Sequence, residues 1–100
     1  MGKYVYIYYA GTDSDQAGDA AAWGAWFGKL GDKIVDAGNP FGEGGQAVSA
    51  AGVMPVKDVP ATGYSIVTAD SMDAATEMAK DCPLMAAKDG AVCVYEALPM

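Results

Sequence analysis

The sequence predicts a single α+β domain: a four-stranded antiparallel sheet with two helices on one face. Three observations carry this reading. Segments rich in tyrosine, valine and isoleucine open and close the chain, at Lys3 to Ala10 and Ala91 to Ala97, with a further one at Thr62 to Ala69. After the first of them, Trp23, Trp26, Phe27, Leu30 and Ile34 recur at offsets of 0, 3, 4, 7 and 11, which is one face of a 3.6-residue period. A chain of 100 residues suits one hydrophobic core, so residues 1–100 are read as one domain.

The first strand, Lys3 to Ala10, is closed by Gly11. Residues 11–16 form a polar turn, and the first helix is expected from Asp15 or Asp19 to Val35. Gly24, Gly28 and Gly31 lie on one flank of its stripe. An interior glycine costs about 1 kcal/mol against alanine, so three on one flank predict a close contact, with Ala75 or Ala79 of the second helix as the partner. Asp36 to Gly42 redirects the chain, with Gly38 as a left-handed cap and Pro40 preventing helical continuation. Gln46 to Ala51 is expected as the second strand, and Gly52 to Ala61, with Pro55 and Pro60, as a loop. Asp70 is the expected N-cap of a helix reaching Asp81, with Met72, Ala75, Met78, Ala79 and Cys82 as its buried stripe and Pro83 as its stop.

This order, β-α-β-β-α-β, is the ferredoxin-like arrangement. In the first strand Val5 and Ile7 alternate with Tyr4, Tyr6 and Tyr8, and in the last Val92 and Val94 alternate with Cys93 and Tyr95. Both sheet faces are therefore apolar, where a sheet with one wet face alternates apolar with polar. The aliphatic set is expected against the helices. The tyrosines, each with a polar handle, are expected on the other face, covered by the sheet of a second copy. That arrangement is a dimeric α/β barrel with a cavity between the sheets. A composition 52% hydrophobic and only 19% charged points the same way.

Thirteen acids against six lysines give a net charge of −7, with no arginine and no histidine. Arginine is the usual fork for phosphate and guanine edges, so neither nucleic acid nor an anionic membrane is an expected partner. Cys82 and Cys93 lack a CxxC spacing and read as small buried side chains of a reduced, cytoplasmic protein. Asp13, Asp15 and Asp19 imitate the opening of a calcium loop. Ala17, however, takes a ligand position, and Gly24 stands where the bidentate glutamate belongs. The acids are read instead as complements to a helix N-terminus. Gly42-Glu43-Gly44-Gly45 lacks the Gly-Lys-Ser/Thr ending of a phosphate loop. Neither a metal nor a cofactor is expected.

Asp36 reads either as a general base at a pocket mouth or as the organiser of its turn. Tyr4, Tyr6, Tyr8 and Tyr95 read either as ligand contacts or as interface packing. Phe27 is assigned to the core, whereas Trp23 and Trp26 suit either core or cavity.

Several segments together resemble the YCII-related proteins: Tyr4-Val5-Tyr6-Ile7-Tyr8-Tyr9, Trp23-Gly24-Ala25-Trp26-Phe27, Leu30-Gly31-Asp32, Val35 to Gly42, Thr62 to Val67, Ala69 to Ala75 and Val94-Tyr95-Glu96. Gly38-Asn39-Pro40-Phe41 is similar to that family's DGPF-type signature. The resemblance covers nearly the whole chain and implies a ferredoxin-like subunit in a dimeric barrel. Some members resemble muconolactone isomerase and carry a His–Asp pair. Asp36 matches the aspartate position, but the chain has no histidine. The expectation is a homodimer that binds a small organic molecule through Tyr4, Tyr6, Tyr8, Tyr95, Trp23, Trp26 and Phe41. The alternatives are a cofactor-free lyase, isomerase or monooxygenase using Asp36 with pocket tyrosines, and an interaction module without a ligand.

Overall fold

The structure, a computed structural model, describes residues 2–10, 20–42, 44–56, 60–86 and 89–99. Asp13, Asp15, Asp19, the expected start of the first helix and Glu43 lie outside the described residues. The elements are β1 (Gly2–Tyr9), α1 (Ala20–Leu30), β2 (Ile34–Asp36), β3 (Gln46–Ser49), β4 (Gly52–Pro55), β5 (Gly63–Ala69), α2 (Met72–Ala79) and β6 (Ala91–Ala97). The main sheet runs β2-β5-β1-β6 with every pairing antiparallel. This is the ferredoxin-like α+β order, with both helices on one face.

The second strand of that sheet is not the expected one. α1 ends at Leu30 because Gly31 takes a left-handed φ of +58°, and one 3-10 turn, Gly31–Lys33, leads straight into β2. Ile34, which continues the helical period on paper, is a strand residue opposite Val67. Gln46–Ser49 pairs with Gly52–Pro55 as a separate hairpin, so part of the expected loop at 52–61 is strand. Gly52 turns the hairpin with φ +126°, and all eight of its strand residues are exposed.

α2 is capped by Ser71 rather than Asp70. Ser71 is extended, at φ −160°, and its Oγ accepts from the Ala74 amide at 3.1 Å. Ala75, Ala79 and Cys82 are buried, whereas Met72 is 41% exposed.

The assignment of the two sheet faces is reversed from expectation. Tyr4, Tyr6 and Tyr8 point under the helices and are 5%, 0% and 6% exposed. The register puts Val5 opposite Ile66 and Tyr95, and Ile7 opposite Tyr64 and Cys93, so these share the other face. That face is half-buried at best, and Tyr95 is 60% exposed. Two physical reasons favour this arrangement. The residues beside the rings are small (Gly63 and Ser65 on β5, Ala75 and Ala79 on α2), which leaves room for long side chains. The polar tips also find buried partners. Tyr6 Oη donates to the Ala75 carbonyl at 2.6 Å, and Tyr8 Oη donates to Ser65 Oγ at 2.7 Å.

The expected glycine contact between the helices is absent. Among the described residues no atom from another element lies within 4 Å of where a Cβ would stand at Gly24, Gly28 or Gly31. The helices are joined through other side chains. Trp26 Nε1 donates to the Met78 carbonyl at 3.1 Å, and Lys29 Nζ meets Asp81 Oδ2 at 2.9 Å on the surface. Trp26 stacks on Tyr6 with centroids 6.0 Å apart, and Leu84, from the 3-10 turn Pro83–Ala86, completes the core at 1% exposure. The smallest molecular dimension is 19 Å, the thickness of one sheet and one helix layer.

Candidate functional site

The first turns of α1 stand over the end of the sheet where β1 finishes and β5 begins. Ala20, Trp23, Gly24 and Phe27 fall at offsets of 0, 3, 4 and 7, so one helix face presents them together. Below them are Tyr8 and Gly63, and beside them runs the segment from Ala37 to Pro40. These groups line a half-open cavity of about 620 Å³, with Thr62, Tyr64 and Leu84 also in its wall. None of the described residues lining it is charged.

The wall is tightly built. Trp23 meets Tyr8 edge-on with centroids 5.0 Å apart, and Phe27 lies 5.7 Å from Trp23. The rim at 37–40 is fixed by several independent bonds. Ser65 Oγ donates to the Ala37 carbonyl at 2.6 Å, the Gly38 amide donates to Asp36 Oδ1 at 2.8 Å, and the Phe41 amide donates to the Thr62 carbonyl at 2.8 Å. Thr62 is itself tied to β1, its amide donating to the Tyr8 carbonyl at 2.7 Å. Gly38 has φ +78°, and a Cβ there would run into the Tyr64 carbonyl. The expected left-handed glycine is therefore real, although it shapes the cavity rim rather than capping the helix.

The chemistry of this wall is that of neutral groups. Burial pushes the Tyr6 phenol up to about 12, helped by the nearby Cys82 thiol. Burial likewise raises Tyr8 well above the ordinary phenol range, against a smaller opposing effect of its bond to Ser65. Cys82 is pushed up to about 11 by burial. At neutral pH these groups are protonated, so Tyr8 offers ring area and a committed hydrogen bond rather than a base.

The structure brings two of the expected ligand residues together, Tyr8 and Trp23, both in the cavity wall. Tyr4, Tyr6 and Trp26 are core residues beneath the helices. Tyr95 sits on the opposite sheet face, and Phe41 stacks on Tyr64 with centroids 5.8 Å apart. Asp36 is exposed, and its phenolic partner is none of the four expected tyrosines. Tyr64 Oη donates to its Oδ2 at 3.3 Å. This cavity lies between the helix and the sheet of one chain. Sequence reasoning missed Phe27 as a wall residue, together with Gly24, Asn39, Thr62, Tyr64 and Leu84. The helical offset of Ala20, Trp23, Gly24 and Phe27 was a readable signal, whereas the convergence of 37–40 with 62–64 was not. Among the described residues no group of three or more cysteine, aspartate or glutamate side chains could hold a metal ion. No helix among them is long and apolar enough to cross a membrane.

No family model matches the sequence, and no curated protein does. Among solved structures, the chain is similar to the 5-chloro-2-hydroxyhydroquinone dehydrochlorinase TftG from Burkholderia phenoliruptrix AC1100, determined in complex with 2,5-dihydroxybenzoquinone. The two agree with a TM-score of 0.60 at 20% identity, over 95% of this chain and 91% of the other. What they share is the ferredoxin-like α+β fold.

Proposed function

We propose that this protein binds a compact, planar organic molecule in the cavity between α1 and the sheet, and that it works as a homodimer joined through the opposite sheet face. The observation that carries the first part is the cavity itself. Its volume of about 620 Å³ lies within the usual range for small-molecule sites. Four aromatic residues, Tyr8, Trp23, Phe27 and Tyr64, line it, and flat apolar walls favour flat ligands. The one-ring quinone bound by TftG is of this class and supports the reading.

The dimer rests on the half-exposed apolar face formed by Val5, Ile7, Ile66 and Cys93, with Tyr95 at its margin. The motif resemblance to YCII-related proteins supports the same assembly. Two unpaired cysteines support a reducing, cytoplasmic setting.

Titration with 2-naphthol and with hydroquinone, followed by tryptophan emission, tests the binding reading. Trp23 lines the cavity, so saturable quenching by at least one of them, at one molecule per chain, is expected. Linear, non-saturating quenching by both would overturn it.

A second reading, proton transfer by Asp36, is favoured by its contact with Tyr64. Asp36→Asn keeps an acceptor for the Gly38 amide while removing the carboxylate. Under that reading the variant binds 2-naphthol as before but loses proton exchange with a bound enol or phenol. Unchanged exchange would remove Asp36 from the chemistry.

A further inference from the structure

Gly24 sits inside α1, where glycine is the poorest helix former after proline. Two ordinary reasons for such a residue are absent. Its backbone is not among the positive-φ glycines, and among the described residues no atom outside its own helix comes within 4 Å of a Cβ placed there. Among the described residues, neither backbone conformation nor packing requires it. Gly28, one turn later, is equally unhindered. The two differ in one respect: Gly24 borders the cavity and Gly28 does not.

The walls supply a second observation. Among the described residues no lysine, aspartate or glutamate lines the cavity, and the chain, with no arginine or histidine, carries a net charge of −7. An anion set against these apolar walls loses hydration without gaining a cationic partner, and the field of an acidic protein adds to the penalty.

Resting on the binding function proposed above, we infer that Gly24 is a specificity-determining residue. Its missing side chain leaves the space that the ring of an uncharged planar ligand occupies, and the anionic counterpart of that ligand is excluded. The glycine therefore serves occupancy rather than folding. Substitution at this position moves stability and affinity in opposite directions, a signature that a purely structural glycine does not have.

Calorimetric titration at neutral pH with 2-naphthol and with 2-naphthoate, which share one ring system and differ in charge, tests this in four proteins. The wild type should bind 2-naphthol at least tenfold more tightly than 2-naphthoate. Gly24→Ala should raise the melting temperature by about 4–8 °C, the gain expected for replacing an interior helical glycine in a domain of this size. It should also weaken 2-naphthol binding by about tenfold, as an added methyl does in a fitted pocket. Gly24→Leu should abolish binding. Gly28→Ala should raise the melting temperature similarly and leave affinity unchanged. Wild-type affinity in both Gly24 variants would overturn the role of Gly24 while leaving the binding function intact. A lower melting temperature in Gly24→Ala would overturn it too, because a structural contact would then explain the glycine. Equal binding of the two probes would overturn the charge selection. If the wild type binds neither, the inference falls together with the binding function.

Discussion

Tyr8 and Ser65 share one buried hydrogen bond, the Tyr8 hydroxyl donating to Ser65 Oγ at 2.7 Å, and Ser65 passes the connection on to the Ala37 carbonyl at 2.6 Å. This short chain ties β1, β5 and the cavity rim together. Ser65→Ala removes the middle link and leaves two polar groups without their partner. Each such loss costs roughly 1–3 kcal/mol, so a destabilisation of about 2 kcal/mol or more is expected in urea unfolding. Tyr8→Phe leaves the Ser65–Ala37 bond in place and should cost only about 1 kcal/mol. Equal costs for the two would mean that the chain does not act as drawn.

Gly38→Ala should be far more damaging than an exposed glycine substitution normally is. The left-handed φ of +78° and the Tyr64 carbonyl beside it both oppose a side chain. A loss of more than about 1 kcal/mol is expected, with 2-naphthol affinity reduced because the rim must move. Thermal unfolding and titration of the variant check this, and wild-type behaviour in both would contradict the rim geometry.

Stability should fall at alkaline pH. The folded state holds the Tyr6 phenol protonated up to about 12 and the Cys82 thiol up to about 11, whereas in the unfolded chain they ionise near 10 and 9 respectively. Above those lower values the unfolded state binds fewer protons, so unfolding becomes more favourable as pH rises. The contribution of the two groups is fully present below about pH 9 and is lost progressively between about 9 and 12. Tyr6→Phe should flatten the upper part of that fall in unfolding curves recorded from pH 8 to 12. An unchanged slope would mean that Tyr6 is not desolvated.

The sequence was most readable where several signals agreed. β5 and β6 lie within a residue of expectation because dense β-branched and aromatic runs meet clear turn residues. The helical stripe located Leu30 in the core correctly, and Trp26, which suited either core or cavity, is a core residue. The stripe overran the helix end, because Ile34 satisfies the helical period and the backbone conformation of Gly31 cannot be read from its name. The face assignment failed for a different reason. Alternation separates Tyr4, Tyr6 and Tyr8 from Val5 and Ile7 but does not say which set is inside. That choice depends on partners 57 and 69 residues away, Ser65 and Ala75. The cavity was unreadable on similar grounds. Trp23 and Phe27 are visible as a helix face, but the opposing wall forms only when residues 37–40 fold onto 62–64.

The exposed apolar sheet face predicts self-association. Ile66→Lys should leave the fold intact, since this side chain points away from the helices, and should prevent pairing. Light scattering should then give about 10.2 kDa for the variant and about twice that for the wild type. A wild type that stays monomeric at every concentration would contradict the homodimer.

The central claim is that a planar molecule enters the space between α1 and the sheet. Amide chemical-shift mapping with 2-naphthol tests it most directly, because the two faces of the sheet carry different residues. The account predicts that the amides of Gly24, Gly38, Asn39 and Gly63 shift together and saturate, while those of Val5, Ile7, Ile66 and Cys93 stay near their free positions. Saturable shifts confined to Val5, Ile7, Ile66 and Cys93 would place the ligand on the opposite face and contradict it.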